Sequence, residues 1–374
     1  MAGDLTTESG KRVPALQVCP ALFLDRSLVI YGPSKTGKTT LVKMIMKTLS
    51  GFVEQALVIS PSEPTNRSYE GYIDAPFIHY RLYLADPTNP RRDDGVRGAL
   101  RFLETVWQRQ EMMAAIYTRA NSPAVLEGLF GRLPAEVRRE AQKHLESLGA
   151  ARARVAERVR RQYPEGGRRE EKAREVKEKF CRLLLLLYKK YITAACAALW
   201  EKPDLSEDER YSLSYLDFNP RLLLIFDDCA AQLKPFFSKE IFRKLFYQNR
   251  HCFITIIVCA QDDTDLPTNL RKNAFVSFFT EQIVCASNFE RPSNKFPKAT
   301  RQHIESILPD LFRENRKLAY IREDDRRLHF YHVQAPQPRL FRFGSAAAHE
   351  LCEAVASEGT TMDKENPFYE HFKV

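Results

Sequence analysis

The sequence has 374 residues, of which 44% are hydrophobic and 28% are charged. This composition is typical of a compact soluble protein and excludes a disordered or fibrous chain. Lys and Arg outnumber Asp and Glu by 57 to 48, and the resulting charge of +9 fits either polyanionic partners such as nucleic acid or a solvated basic surface. The eight cysteines contain no CxxC pair, so we expect a reducing compartment, and we predict no signal peptide or membrane span.

The first elements along the chain alternate between strands and connections. The apolar run 27–31 predicts a buried strand, and residues 38–49 predict the helix that follows it. Residues 56–60 and 77–83 predict two further strands, the second of which ends before the turn-rich segment 86–94.

The region of about 95–205 is different, because it is largely helix-forming and rich in arginine. One helical face carries the apolar residues Leu100, Leu103, Trp107, Ala114 and Tyr117, so this part is predicted to pack against other residues. Residues 131–180 hold 15 Lys or Arg against 9 Asp or Glu. Such a stretch is typical of a solvated, salt-bridged helical pair, and a contact with nucleic acid or another subunit is the alternative.

The last part of the chain returns to short apolar runs. Strands are predicted at 222–226, 253–260 and 274–279, and a helix at 236–249. Residues 318–322 and 328–333 alternate around 323–327 like a hairpin that either extends the sheet or stands apart from it.

These elements together predict an α/β fold, a P-loop NTPase with a central, mostly parallel sheet, helices on both faces and a helical insertion. The predicted division is an N-terminal extension (1–24), an ATPase domain (25–335) with a basic helical insertion at about 95–205, and a C-terminal tail (336–374).

The most specific chemical motif lies between the first apolar strand and its helix. The motif GxxxxGK[ST] is matched by Gly32, Pro33, Ser34, Lys35, Thr36, Gly37, Lys38 and Thr39, and Thr40 follows it. In such a loop the glycines let backbone N–H groups face the phosphates, and the lysine reaches the β and γ oxygens. We therefore predict an ATP site with Mg²⁺ on the Thr39 hydroxyl.

Acidic and polar residues follow two later strands. Asp227 and Asp228 end the run 222–226, where ionised groups need a cation as partner. Asp227 is predicted to hold magnesium through water, and Asp228 to accept a proton from the attacking water. If the strands are adjacent, Gln261 can orient that water and sense the γ-phosphate. Arg250 and Arg271 are candidates for an arginine finger that reaches a neighbouring subunit's phosphate, and an ordinary surface arginine is the alternative for each.

Three segments resemble the DNA-packaging ATPases of large double-stranded DNA viruses, of the poxvirus and mimivirus type, within the FtsK/HerA class of ring-forming DNA translocases. They are GPSKTGKTT at 32–40, LLLIFDDCAAQL at 222–233 and FYQNRHCFITIIVCAQDDTDLPTNLRKNAFVSFF at 246–279. The resemblance implies a homo-oligomeric ring that uses ATP and Mg²⁺ to pump double-stranded DNA into a capsid. It also implies a capsid or portal partner, and a location in the virion or at the site of virus assembly, in the host cytoplasm in preference to the nucleus.

Three other functions compete with this interpretation. A helicase or AAA-type remodeller would carry further motifs, such as a DExx box set or a sensor arginine, and a small-molecule kinase fits poorly with the long spacing from Lys38 to Asp227. A non-hydrolysing nucleic-acid-binding or scaffold protein would not need Lys38, Thr39 and Asp227 intact. The chain departs from the cellular members of the resembled class at Asp228, where they usually have Glu, which has a longer side chain.

Overall fold

The structure is a computed structural model that describes residues 3–80, 95–322 and 328–357. The chain forms two compact units, Met1–Ala114 with Pro220–Val374, and Ala115–Asn219. In the described ranges, no helix combines the length and the hydropathy that a bilayer-spanning segment requires.

The strands and helices of the described residues are these. The strands are β1 (Leu5–Thr6), β2 (Arg12–Val13), β3 (Ser27–Tyr31), β4 (Gln55–Ile59), β5 (Ile78–His79), β6 (Leu222–Phe226), β7 (Ile254–Ala260), β8 (Val276–Phe279), β9 (Lys317–Arg322) and β10 (Leu328–Val333). The helices are α1 (Pro20–Phe23), α2 (Lys38–Leu49), α3 (Glu63–Asn66), α4 (Gly95–Ala120), α5 (Pro123–Gly131), α6 (Ala135–Gln162), α7 (Gly167–Ala194), α8 (Cys196–Trp200), α9 (Glu207–Ser214), α10 (Ala230–Leu233), α11 (Glu240–Tyr247), α12 (Thr268–Asn273), α13 (Gln282–Glu290), α14 (Lys298–Leu311) and α15 (Ala346–Ser357).

One sheet of eight strands organises the first unit, in the order β10-β9-β8-β3-β7-β6-β4-β5. The pairs from β8 to β5 are parallel, and β9 and β10 add two antiparallel strands at one side. Strands β6 and β7 are buried at every residue, as is expected of parallel strands with both faces covered. The predicted α/β class is confirmed, and the predicted hairpin extends the sheet.

Three predicted elements differ from the structure or reach beyond its described part. The helix predicted at 236–249 is shorter, because a 3-10 turn occupies Lys234–Phe236 and the extended backbone of Lys239 precedes α11. The strand predicted at 77–83 begins later, since Ala75–Phe77 is a 3-10 turn, and is described only at Ile78–His79. Residues 81–83, the turn-rich segment 86–94 and the hairpin turn 323–327 lie outside the described residues.

The second unit, Ala115–Asn219, is helical. The helical insertion is predicted at about 95–205, and α4 up to Ala114 belongs to the first unit. Helices α6 and α7 are each 28 residues long and pack side by side across a short connection. The core of the second unit contains Leu129, Ile192 and Leu199, while most arginines of α6 are exposed. Several of the charges pair within one helix, such as Arg161 with Glu157 at 3.0 Å. The structure thus has a solvated, salt-bridged helical pair, and its contact with nucleic acid stays a prediction.

The two ends of the described chain make contacts within the first unit. Residues beside β2 bond to β10, where the Leu16 N–H donates to the His332 carbonyl at 2.9 Å. Near the C-terminus the Phe343 N–H donates to the Tyr72 carbonyl at 2.8 Å, and the Phe343 side chain is buried in the core. The predicted division into an extension, a domain and a tail stays a prediction, and residues 336–357 contribute to the core of the first unit.

We expect Phe343→Ala to lower the free energy of unfolding by about 3 to 5 kcal/mol, because it empties a packed aromatic position. Leu340→Ala is the matched control, since Leu340 is 70% exposed three residues earlier. Chemical denaturation measures both variants. Equal losses, or no loss in either, would contradict a structural role of this segment.

Candidate nucleotide site

A tight loop joins β3 to α2, and its geometry requires glycine at one position. Gly32 has φ of 152°, and a Cβ there would lie 1.8 Å from the Thr280 Oγ1 and 2.9 Å from the Thr36 Oγ1. Those two hydroxyls lie 2.5 Å apart, and the Thr280 hydroxyl also donates to the Tyr31 carbonyl at 3.1 Å. The loop is therefore fastened to the end of β8, and only glycine fits at position 32.

The ammonium group of Lys38 lies inside this loop. Lys38 is the first residue of α2 and is buried, and its Nζ donates to the carbonyls of Gly32 at 2.8 Å and Pro33 at 3.0 Å. Gly37, with φ of 95°, precedes the helix, so a helix N-terminus and a buried cation face the same loop. This arrangement suits a phosphate group.

The other residues of the predicted loop differ in exposure. Pro33, Ser34 and Lys35 are exposed, and Lys35 adopts the left-handed conformation at φ of 65°. Thr39 and Thr40 are half-buried in the first turn of α2.

Asp227 follows β6 directly, and its side chain is shielded from water. Its side chain is buried, and its Oδ2 accepts a hydrogen bond from the Tyr69 hydroxyl at 2.7 Å. Burial raises the pKa of the Asp227 carboxyl, and the charge of Asp228 adds to that effect, whereas the Tyr69 hydroxyl and the nearby Lys38 oppose it. Within the described ranges the buried Asp227 Oδ1 has no hydrogen-bond partner, although the Cys259 thiol, a weak donor, lies close to the carboxylate.

Tyr69 was not identified from the sequence, and a second carboxylate holds it in place. Glu63 is buried and accepts backbone hydrogen bonds from Ser68 at 2.8 Å, Tyr69 at 2.7 Å and Glu70 at 3.0 Å. Burial raises the pKa of Glu63, and these three donors partly offset the rise. The turn that presents Tyr69 to Asp227 is thus built on Glu63, and no motif marks either residue.

Asp228 has a different environment from Asp227. It is exposed, and its backbone lies in the left-handed region at φ of 53°, which is strained for a residue with a side chain. The Ser62 hydroxyl, just beyond β4, donates to its Oδ2 at 3.2 Å. One aspartate is buried and the next is accessible, so the two predicted roles, magnesium ligand and base, fall on carboxylates in different environments.

Gln261 follows β7, which is adjacent to β6, so the condition for placing Gln261 beside the acidic pair is met. Strand β7 lies between β3 and β6, and Ala260 pairs with Tyr31. Gln261 is exposed, and its N–H donates to the Asp265 carboxylate at 2.9 Å. The carboxyl ends of parallel strands lie along the same side of a sheet, which is called the nucleotide edge below. The loop of Lys38, the aspartate pair and Gln261 therefore lie together at this edge.

The two predicted arginine fingers do not join this group. The guanidinium of Arg271 is bound within its own chain to the buried Asp263 and, at 2.8 Å, to the Thr268 hydroxyl. Arg250 is exposed in the 3-10 turn that precedes β7. Strand β7 has seven residues, so at a rise of about 3.3 Å per residue Arg250 lies about 20 Å from the edge that carries Gln261.

No protein-family model matches the sequence. The chain is 48% identical over 370 residues to "Uncharacterized protein B354L" of African swine fever virus isolates from a tick in Malawi and a pig in Kenya, with 99% of each chain covered. The corresponding protein of an isolate from a warthog in Namibia is 47% identical over the same length. The chain therefore belongs to the B354L family.

Solved structures with a similar chain trace have low sequence identity. The genome packaging NTPase B204 from Sulfolobus turreted icosahedral virus 2, in complex with ATP-gammaS, matches with a TM-score of 0.38 and 11% identity over 85% of this chain and 100% of that chain. VirB4 of Thermoanaerobacter pseudethanolicus matches with a TM-score of 0.33 and 13% identity over 89% and 96% of the two chains.

We expect Tyr69→Phe to lower the free energy of unfolding by about 1 to 3 kcal/mol, because the buried Asp227 loses its hydroxyl donor. Tyr31→Phe is the matched control, since the buried Tyr31 hydroxyl has no hydrogen-bond partner in the part of the chain that the structure describes. Urea denaturation without nucleotide measures both. The same loss in the two variants would show that the Tyr69 hydrogen bond contributes nothing of its own.

Proposed function

We propose that this member of the B354L family is an ATP-driven translocase that moves double-stranded DNA into a viral capsid. The observation that carries the proposal is the meeting of a phosphate loop and an acidic pair at one edge of a parallel sheet. Lys38 lies within the loop after β3, and Asp227 and Asp228 follow β6. Gln261 follows β7, which lies between β3 and β6. These are the parts that ATP hydrolysis needs.

The donor set fits a magnesium ion. Mg²⁺ in nucleotide sites keeps several waters and binds one or two protein groups together with phosphate oxygens. Two groups would hold the ion: the Thr39 hydroxyl in the first turn of α2, and, through water, the buried Asp227 Oδ1, which has no hydrogen-bond partner among the described residues. Bound there, the ion would neutralise charge on the β- and γ-phosphates.

The remaining residues divide the chemistry between them. Lys38 exchanges the loop carbonyls for phosphate oxygens and stabilises the charge of the transferring group. Asp228, accessible at the end of β6, accepts a proton from the attacking water, and Gln261 orients that water. The side chain of the exposed Asp228 is shorter than that of the glutamate in cellular members of the resembled class. The Ser62 hydroxyl donates a hydrogen bond to the Asp228 carboxylate and fixes its position.

Surface charge and the sequence resemblance support double-stranded DNA as the polymer that the protein moves. The helical unit presents exposed arginines along α6, where Arg152, Arg154 and Arg158 follow one another. Basic side chains of this kind neutralise backbone phosphates without reading sequence. The segments 222–233 and 246–279 resemble viral packaging ATPases, and the relatives at 48% identity are proteins of a virus. A homo-oligomeric ring, a capsid or portal partner and a site of virus assembly complete the proposal.

We expect Lys38→Ala to abolish ATP hydrolysis, because it removes the cation that offsets charge on the transferring phosphate. Wild-type turnover should rise with double-stranded DNA, and added salt should weaken that stimulation as counterions compete. Lys298→Ala, at an exposed lysine that begins α14, is the control and should keep full turnover. Lys38→Ala activity within about tenfold of wild type would contradict the ATPase assignment.

The positions of the two candidate arginines favour one of them as the finger. Arg271 is committed to Asp263 within its own chain, whereas Arg250 is exposed on the far edge of the sheet. Arg250 therefore cannot serve the phosphate loop of its own chain, and it is the residue we assign as the finger acting on a neighbouring subunit.

We expect Lys38→Ala and Arg250→Ala proteins to be inactive alone and to regain turnover when mixed. The first keeps its finger and the second keeps its loop, so mixed rings contain interfaces in which an intact loop meets an intact arginine. Arg243→Ala, at an exposed arginine of α11, is the matched control and should stay active by itself. A mixture that co-assembles but stays inactive would exclude Arg250 as a trans finger.

A further inference from the structure

Lys317 is a second lysine at the edge of the sheet that carries the phosphate loop. It is the first residue of β9, which runs antiparallel to β8, and its neighbour Leu318 pairs with Phe279 at the end of β8. Because β9 runs in the opposite direction, its first residue lies where the parallel strands end. Lys317 thereby reaches the nucleotide edge, although no motif surrounds it.

The side chain of Lys317 packs against the phosphate loop. A Cβ built on Gly37 would lie 3.5 Å from the Lys317 Cε and 3.8 Å from its Nζ. The Nζ also donates to the Thr280 carbonyl at 3.4 Å, and the Thr280 hydroxyl contacts Thr36 within the loop. The ammonium group is thus adjacent to the residue that precedes α2.

The charge of Lys317 lacks a carboxylate partner in the described ranges, since no ion pair there includes it. The residue is half-buried, and burial lowers the pKa of its ammonium group. Because this cation is partly desolvated and lies at a loop that suits anions, a bound anion would stabilise its charge.

We propose that Lys317 is a second phosphate-binding cation of the nucleotide site, which contacts the α- and β-phosphates of ATP and ADP from the β8–β9 side. This proposal rests on the proposed ATPase function and adds a nucleotide-binding residue to it. Lys317 holds the diphosphate that both nucleotides share.

The order of the strands places Lys317 away from the γ-phosphate. Strands β8 and β9 lie on one side of β3, whereas β7 and β6, which carry Gln261 and Asp227, lie on the other. The γ-phosphate belongs beside the attacking water and the acidic pair, so Lys317 meets the opposite end of the polyphosphate. Its contact is the same in the ground state and the transition state, and it contributes to binding without changing the chemical step.

The experiment measures binding and turnover of Lys317→Met in the full-length protein. We expect the dissociation constants of ADP and of ATPγS, from calorimetry, to rise by about tenfold each, and kcat at saturating ATP to stay within about twofold of wild type. Lys317→Arg keeps the cation and should restore most of the affinity. Lys298→Met controls for the loss of one positive charge and should bind both nucleotides as the wild type does.

Two results would overturn the proposal. One is unchanged ADP affinity in Lys317→Met, whether or not the affinity for ATPγS falls, and the other is a fall of kcat at unchanged affinity. Thermal unfolding of the nucleotide-free variants checks that they are folded. If the wild type binds neither nucleotide, the proposed ATPase function is wrong. If the wild type hydrolyses ATP and Lys317→Met binds both nucleotides equally well, only the role of Lys317 is wrong.

Discussion

The candidate site depends on one carboxylate that the fold has removed from water. Burial opposes ionisation of Asp227, so the Tyr69 hydroxyl and the nearby Lys38 ammonium are needed to favour its charged form. Tyr69 belongs to a turn in which three backbone N–H groups donate hydrogen bonds to the buried Glu63 carboxylate. A cation shared with a nucleotide would satisfy the remaining Asp227 oxygen, and the proposed magnesium site follows from this requirement.

The order of strands turns distant sequence segments into one site. Strands β3, β7 and β6 are adjacent and parallel, so the residues that follow them share an edge. The antiparallel strand β9 brings its first residue, Lys317, to the same edge, whereas the turn before β7 leaves Arg250 at the opposite one. The direction of a strand therefore determines which of its charged residues lie near a bound phosphate, and sequence distance does not.

Residues that belong to a motif could be predicted from the sequence, and residues that act through tertiary contacts could not. The loop around Lys38 and the aspartates after β6 were recognisable because short spacing and buried runs mark them, and the parallel sheet followed from the same runs. Tyr69 and Lys317 carry no local signal, since their roles arise from a turn folded against β6 and from the reversed direction of β9. The helix predicted at 236–249 was too long because apolar periodicity does not register the extended backbone at Lys239.

The loop after β7 connects the nucleotide edge to helices on the other side of β3. Asp265 holds the N–H of Gln261, and the fully buried Asp263 binds Arg271, Arg291 and Asn294, which belong to α12 and to the chain that follows α13. Gln261 and Asp263 belong to the same short loop. A movement of this loop that separated Asp263 from its partners would leave a buried carboxylate unpaired, which is costly. The same network keeps Arg271 within its own chain. Arg250 lies about 20 Å from its own phosphate loop by strand length. Neither arginine therefore completes the site of the chain that carries it, and this placement is the reason why the proposal assigns Arg250 to the site of a neighbouring subunit.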